Sequence, residues 1–207
     1  MTDKNPELDR WNQRYDQDSY LFGTAPNAFL ARQADRLPAH GRVLAVADGD
    51  GRNGVWLAEH GLEVLSVDFS PVALAKAEKL AALRGVSIET LETSLYDWAW
   101  PEATFDVIVA IFFQFAEPSN RALVFQGIRQ ALKPGGLLLL EGYRPEQVDY
   151  GTGGPPQREN MYTEALLRDA FGDHEIELLE SYDAEVDEGA GHSGMSALID
   201  LVARKPA

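Results

Sequence analysis

The sequence predicts an α/β protein, built on a mainly parallel seven-stranded sheet with helices on both faces and an antiparallel hairpin at its carboxyl end. Three observations carry that reading. From residue 42 onward, short apolar runs alternate with helical patterns, the order of a parallel sheet with crossover helices. The runs "VIVAIFF" and "LLLL" are uninterrupted, as suits strands buried on both faces. The chain then closes with "EIELLESYDAEV" and "MSALIDLVARK" facing each other across the short "DEGAGHSG", which reads as a hairpin.

The elements follow in order. "NPELDRWNQRY" offers Asn5 as a cap, Pro6 as first helical residue, and Leu8, Trp11 and Tyr15 on one face. Pro26 opens a second helix in which Phe29, Leu30, Ala34 and Leu37 share a face. "RVLAVA" is the first strand and runs into a glycine-rich turn, after which the helix "GVWLAEHG" is closed by Gly61. "EVLSVD" is the second strand, with Ser70 capping and Pro71 starting the helix "VALAKAEKLAALRG". "VSIETL" and "FDVIVAIFF" are the third and fourth strands, "PSNRALVFQGIRQAL" a helix and "GLLLLEG" the fifth strand.

At 207 residues the chain suits one domain, with helices in 1–40 capping the site and the sheet and its helices in 41–207. Its formal charge of −15 repels a phosphate backbone at long range, which argues against a nucleic-acid partner. It has no cysteine, which removes thiolate metal sites, disulfides and a cysteine nucleophile. No apolar run approaches the ~20 residues of a membrane helix, and the polar start lacks a signal-peptide core. The expectation is a cytoplasmic protein, monomer or homodimer, with no membrane partner.

An open parallel sheet binds ligands at the carboxyl ends of its strands, where strand order reverses. Chemistry is therefore expected at residues 47–54, 68–70, 94–97 and 110–115. Gly49, Gly51 and Gly54 let a ligand approach the backbone at the start of a helix, and such a turn suits a pyrophosphate or an amino-acid carboxylate. Asp68 ends the second strand, where a carboxylate accepts hydrogen bonds from two ribose hydroxyls. These features point to an adenosine ligand without choosing which. No tyrosine is followed four residues later by lysine, so the proton-transfer pair of the common small NAD-dependent reductases is missing.

"ALKPGGLLLLEGY" and the terminal hairpin resemble the late signature of the class I S-adenosylmethionine-dependent methyltransferases, whose fold is Rossmann-like. Taken together, "WNQRY", "FGTAPN", "ADGDGRN", "VDFS", "LKPGG", "EGYRPEQ", "TGGP" and "EGAGHSG" resemble the tellurite-resistance-type small-molecule methyltransferases over nearly the whole chain. The resemblance implies S-adenosyl-L-methionine as cofactor. Its methionine end would lie over Ala47, Asp48, Gly49, Gly51, Arg52 and Asn53, its ribose at Asp68 with Phe69 and Ser70, and its adenine against Ser94, Leu95, Ile111 and Phe112.

The sequence also departs from that family. Ala45 and Ala47 stand where an acid and a glycine are usual, leaving Asp48 as the acid nearest the methionine ammonium. Ser94 stands where aspartate is frequent, and "AIFFQF" replaces the Asn/Asp-Pro-Pro-aromatic motif of enzymes that methylate adenine or glutamine nitrogens.

The acceptor implied is a small molecule such as a thiol or a chalcogen oxyanion. His192 is the candidate general base because an unperturbed imidazole titrates near neutrality. Arg14 and Tyr15, with Tyr20, Asn27, Tyr143 and Arg144, would line the acceptor pocket, and "YGTGGPP" would help to cover the cofactor. The alternative from another class is a non-catalytic protein that binds an adenosine ligand on the same fold.

Overall fold

The computed structural model describes residues 5–189 and 191–207; the first four residues of the expected cap, and Ala190 within "EGAGHSG", lie outside the described residues. Seven strands, β1 (Arg42–Val46), β2 (Glu63–Asp68), β3 (Glu89–Glu92), β4 (Phe105–Ile111), β5 (Leu132–Tyr143), β6 (Glu175–Asp187) and β7 (Ser193–Arg204), form one sheet in the order β3-β2-β1-β4-β5-β7-β6. β1 to β5 pair in parallel, and β7 runs antiparallel between β5 and β6. Strand order therefore reverses between β1 and β4, which opens a crevice at their carboxyl ends.

Helices α1 (Pro6–Tyr15), α2 (Ala28–Arg32), α3 (Arg52–Glu59), α4 (Pro71–Arg84), α5 (Pro118–Ala131), α6 (Gln147–Tyr150) and α7 (Glu164–Ala170) flank the sheet. Side chains alternate across a strand, and β4 shows the result. Ile108 and Ala110 join Leu138, Leu140, Val124, Phe125 and Ile128 on one face. Val107, Val109 and Ile111 join Val43, Leu139, Phe29, Leu30 and Leu57 on the other. Covering both faces is what permits the uninterrupted apolar strands.

Among the boundaries that differ from the sequence expectation, three have a clear local cause or consequence. The second helix starts at Ala28 rather than Pro26, because the Asn27 side chain accepts the Leu30 N–H at 2.9 Å and takes the capping position. That helix gives way to a 3₁₀ turn over Ala34–Arg36, so Leu37 lies beyond it. β5 begins at Leu132, ahead of Pro134-Gly135-Gly136, with a register shift against β4 between Phe105 and Val107. Helices α6 and α7 carry no strong periodic signal; α7 is held by the Thr163 hydroxyl, which accepts the Leu166 N–H at 3.2 Å. Among the described residues no helix is long and apolar enough to cross a membrane.

Candidate functional site

A cavity of about 680 Å³ lies at the carboxyl ends of β1, β2 and β4, between the sheet, α1 and the segment 153–160. That volume falls within the range of small-ligand and cofactor sites. Its floor is the turn after β1. Gly49 and Gly51 have φ of 61° and 89°, backbone that favours glycine. A Cβ on Gly49 would lie 2.4 Å from the Tyr15 hydroxyl, and one on Gly51 would lie 2.5 Å from the Ala77 Cβ. The first glycine thus lets α1 close over the turn, and the second lets α3 pack on α4.

Ala47 (φ 50°) and Phe112 (φ 53°) occupy the same left-handed region without being glycine. Each follows directly on the end of a strand flanking the crevice, and both line the cavity. Strained backbone of this kind is concentrated at ligand sites.

Asp68 is buried and lines the cavity. Its carboxylate accepts the Gly49 N–H at 3.0 Å and the Ser70 N–H at 2.9 Å, one on each oxygen. Burial raises its pKa to about 6, against the lowering effect of those backbone donors. Asp48 is turned under the turn instead. It accepts the Ser66 hydroxyl at 2.9 Å and the Gly54 N–H at 3.2 Å, and burial raises its pKa to about 7. Its carboxylate is engaged with β2 and α3 while also bordering the cavity.

At the other end, His192 packs between Phe22 and Phe112, with ring centroids 4.6 and 4.3 Å away, and Tyr143 stands edge-on at 5.8 Å. His192 Nδ1 and the Tyr143 hydroxyl are buried without hydrogen-bond partners among the described residues. Burial, then the nearby Arg52 and Arg14, lower the His192 pKa to about 3. Burial of this kind keeps the imidazole neutral at physiological pH.

Arg14 lies over the Trp11 ring at 4.4 Å and forms no ion pair among the described residues. Arg52, by contrast, is paired with Glu188 at 2.7 Å.

Of the residues expected at the site, Arg14, Tyr15, Ala47, Asp48, Gly49, Arg52, Asn53, Asp68, Phe69, Ile111, Phe112, Tyr143 and His192 line this one cavity. Gly51, Ser70, Ser94 and Leu95 do not. Gly51 packs on Ala77. Ser70 caps α4 by accepting the Ala73 N–H at 3.1 Å and donates to Asn12 at 2.6 Å. Ser94 accepts the Tyr96 N–H at 3.3 Å, and Leu95 is in the core.

Tyr20, Asn27 and Arg144 are also outside the lining: Tyr20 donates to the Lys76 carbonyl, Asn27 bonds Glu141 and Glu188, and Arg144 pairs with Asp183. Phe22 and Asn160 line the cavity without having been expected there, and Gln114 and Phe115 line it within the expected stretch 110–115. Phe69 and Phe115 are near-parallel, 18° apart in plane, with centroids 6.4 Å apart.

A mainly parallel sheet with a glycine turn, a second-strand acid and a cavity over both defines a Rossmann-like fold. Comparison with known proteins narrows the class. A methyltransferase domain family matches residues 43–136. The chain is 31% identical over 171 residues to the cypemycin N-terminal methyltransferase of a Streptomyces species, covering 77% of this chain and 68% of that protein. It is 32% identical over 137 residues to the demethylmenaquinone methyltransferase of Thermus thermophilus, covering 64% of this chain and 62% of that protein's length.

Among solved structures, the N-methyltransferase NodS from Bradyrhizobium japonicum in complex with S-adenosyl-L-homocysteine shares the fold. Its TM-score is 0.74 at 16% identity, over 98% of this chain and 100% of that one. The chain belongs to the class I S-adenosylmethionine-dependent methyltransferase family.

Proposed function

We propose that this protein binds S-adenosyl-L-methionine in the cavity and transfers its methyl group to a small-molecule acceptor that is already ionised, of the thiolate or chalcogen-oxyanion class. The observation that carries the reading is the convergence in one cavity of the glycine turn, Asp68, and an aromatic end with unpartnered polar groups. The NodS complex with S-adenosyl-L-homocysteine, on the same fold, supports the choice of cofactor.

The residues present fit the cofactor. Each Asp68 oxygen carries one backbone hydrogen bond, leaving acceptor capacity for two ribose hydroxyls. Phe69 and Phe115 offer two flat faces for an adenine. In this reading the slot takes the adenine role that the resemblance gave to Ser94, Leu95, Ile111 and Phe112, and Phe112 moves to the acceptor end. Arg14 offers a guanidinium to the methionine carboxylate or to an anionic acceptor. When bound, the cofactor supplies a sulfonium methyl that is already activated.

The protein's task is then to exclude water and align the acceptor. Tyr15 closes over the turn, and Phe22, Phe112 and Tyr143 wall the acceptor end. A neutral imidazole whose conjugate acid has a pKa of about 3 is a poor base for an ammonium of ordinary pKa near 10. His192 therefore serves as a hydrogen-bonding wall and not as a base, which favours an acceptor that arrives ionised. We assign the same acceptor class as the tellurite-resistance-type resemblance, a cytoplasmic setting and no nucleic-acid partner.

A radiolabelled methyl-transfer screen over thiols, selenite, tellurite and primary amines tests this reading. Transfer to the ionised sulfur or chalcogen acceptors supports it; transfer confined to amines overturns it. The second reading, a non-catalytic cofactor-binding protein, draws on Ala45 and on Asp48, whose carboxylate already serves Ser66 and Gly54. Tight cofactor binding with no transfer to any acceptor favours it.

A further inference from the structure

The β6–β7 turn carries a carboxylate that lies outside the cavity yet touches the elements that close it. Glu188 Oε2 pairs with Arg52 Nη2 at 2.7 Å, and the two side chains are 12% and 5% exposed. Glu188 Oε1 accepts the Ala28 N–H at 2.8 Å and the Asn27 side-chain N–H at 3.2 Å. Its own backbone N–H donates to the His192 carbonyl at 2.8 Å and closes the turn.

The segment before α2 is also held from both sides. Leu21 N–H donates to Asp50, Asn27 N–H to Asn53, and the Gly191 N–H to the Leu21 carbonyl. A Cβ on Gly189 would stand 2.8 Å from the backbone of residues 21–23, so the two turns meet backbone to backbone. Glu188 is the side chain that reaches both α2 and α3 from the β6–β7 turn.

Further charged side chains surround this contact. Glu141 on β5 stands opposite Asp200 on β7 and accepts a hydrogen bond from Asn27. Asp200 pairs with Arg32. Three carboxylates thus meet two arginines, and the Glu188–Arg52 pair is the one that faces the cofactor turn.

We infer that Glu188 is a positioning residue that clamps the segment 21–28 and the β6–β7 turn onto α3, thereby holding Phe22 and His192 at the cavity without touching cofactor or acceptor. A charge-assisted pair between largely buried side chains gives the clamp its strength, and bonding from one carboxylate to two backbone segments gives it geometry. Phe22 follows Arg52, which donates to the Phe22 carbonyl at 3.3 Å. His192 follows the turn. Its effect on catalysis rests on the proposed cofactor reading, whereas the clamp itself is a property of the ligand-free chain.

Two measurements separate these claims. Amide hydrogen exchange on the ligand-free protein compares wild type, Glu188→Ala, Glu188→Gln and the exposed-site control Glu185→Ala. Exchange in residues 21–30 accelerates roughly tenfold or more in Glu188→Ala while β1 stays protected; Glu188→Gln, which keeps an acceptor for Ala28, is intermediate. Calorimetry with S-adenosyl-L-homocysteine shows affinity falling roughly tenfold in Glu188→Ala and unchanged in Glu185→Ala. Wild-type exchange in residues 21–30 of both Glu188 variants overturns the clamp. If Glu188→Ala does not fold, Glu188→Gln decides by the same criterion. If the wild type binds no S-adenosyl-L-homocysteine, the cofactor reading falls and the exchange result alone judges the clamp.

Discussion

Asp68 accepts the backbone N–H of Gly49 at 3.0 Å, so the acid that ends β2 also fixes the conformation of the turn that ends β1. Two features separated in sequence act as one structural unit at the crevice. In the proposed complex the same carboxylate receives the ribose, and Asp68→Asn tests this with little change in shape. The amide retains one acceptor oxygen and brings a donor against a backbone N–H. A hydrogen bond to a charged group contributes about 1.5–3 kcal/mol, so affinity for S-adenosyl-L-homocysteine falls roughly tenfold to a hundredfold. Calorimetry reads the loss, and circular dichroism checks that the fold persists.

The same carboxylate sets a pH dependence. Asp68 titrates at about 6 in the ligand-free protein, and its protonated form is the weaker acceptor for ribose hydroxyls. Cofactor affinity is therefore constant above about pH 7 and declines as pH falls through 6. Titration calorimetry at pH 5, 6, 7 and 8 measures the decline, and Asp68→Asn abolishes it.

Asp48 gives a stability effect with a definite sign. Its pKa is raised from an ordinary carboxylate value to about 7, so between these values the native state holds more proton than the unfolded chain. The stability linked to this proton is fully present below about pH 4 and is lost as pH rises through 7. Asp48→Asn keeps an acceptor for Gly54 and removes the titration. The variant gains about 1–3 kcal/mol over wild type at pH 8 relative to pH 5, as measured by urea unfolding at both pH values.

Ala47 stands at φ 50° in the turn, a conformation that costs a non-glycine residue about 1–2 kcal/mol. Glycine relieves that cost but loses roughly 0.5–1 kcal/mol through its freer unfolded state. Ala47→Gly is accordingly neutral to stabilising, by up to about 1 kcal/mol, in thermal or chemical unfolding. Destabilisation by that amount would show that the Ala47 methyl group packs favourably.

The neutral state of His192 predicts the shape of the rate profile. With a thiol acceptor and saturating cofactor, which removes the Asp68 effect on binding, kcat/KM for the thiol follows its ionisation and shows no separate limb near 6.5. A limb there that disappears in His192→Gln would restore the imidazole as a base.

The sheet was legible because its strands are buried on both faces and therefore read as continuous apolar runs. Val107 and Ile108 face opposite layers, and both are apolar for that reason. The turn at Gly49 and the acid at Asp68 were legible because backbone geometry restricts which residues serve there. The roles of Ser94 and Leu95 were assigned by likeness to a pattern, while their observed environment follows from local packing and a Tyr96 amide that no spacing announces. Asp48 could be placed at the turn, but its inward orientation depends on Ser66, on the neighbouring strand. Phe22 and Phe115 read as ordinary apolar residues because their contribution depends on long-range closure. The protonation of His192 was likewise hidden, since burial beside two arginines is a tertiary property.

S-adenosyl-L-methionine is the ligand proposed for the cavity over Gly49 and Asp68. Isothermal titration of the purified chain with S-adenosyl-L-homocysteine, for wild type and Asp68→Asn in parallel, tests that assignment most directly. Binding is expected to be saturable at one site per chain and weakened roughly tenfold or more by the substitution. Absence of binding to the folded wild type, or binding that Asp68→Asn leaves unchanged, would contradict the assignment.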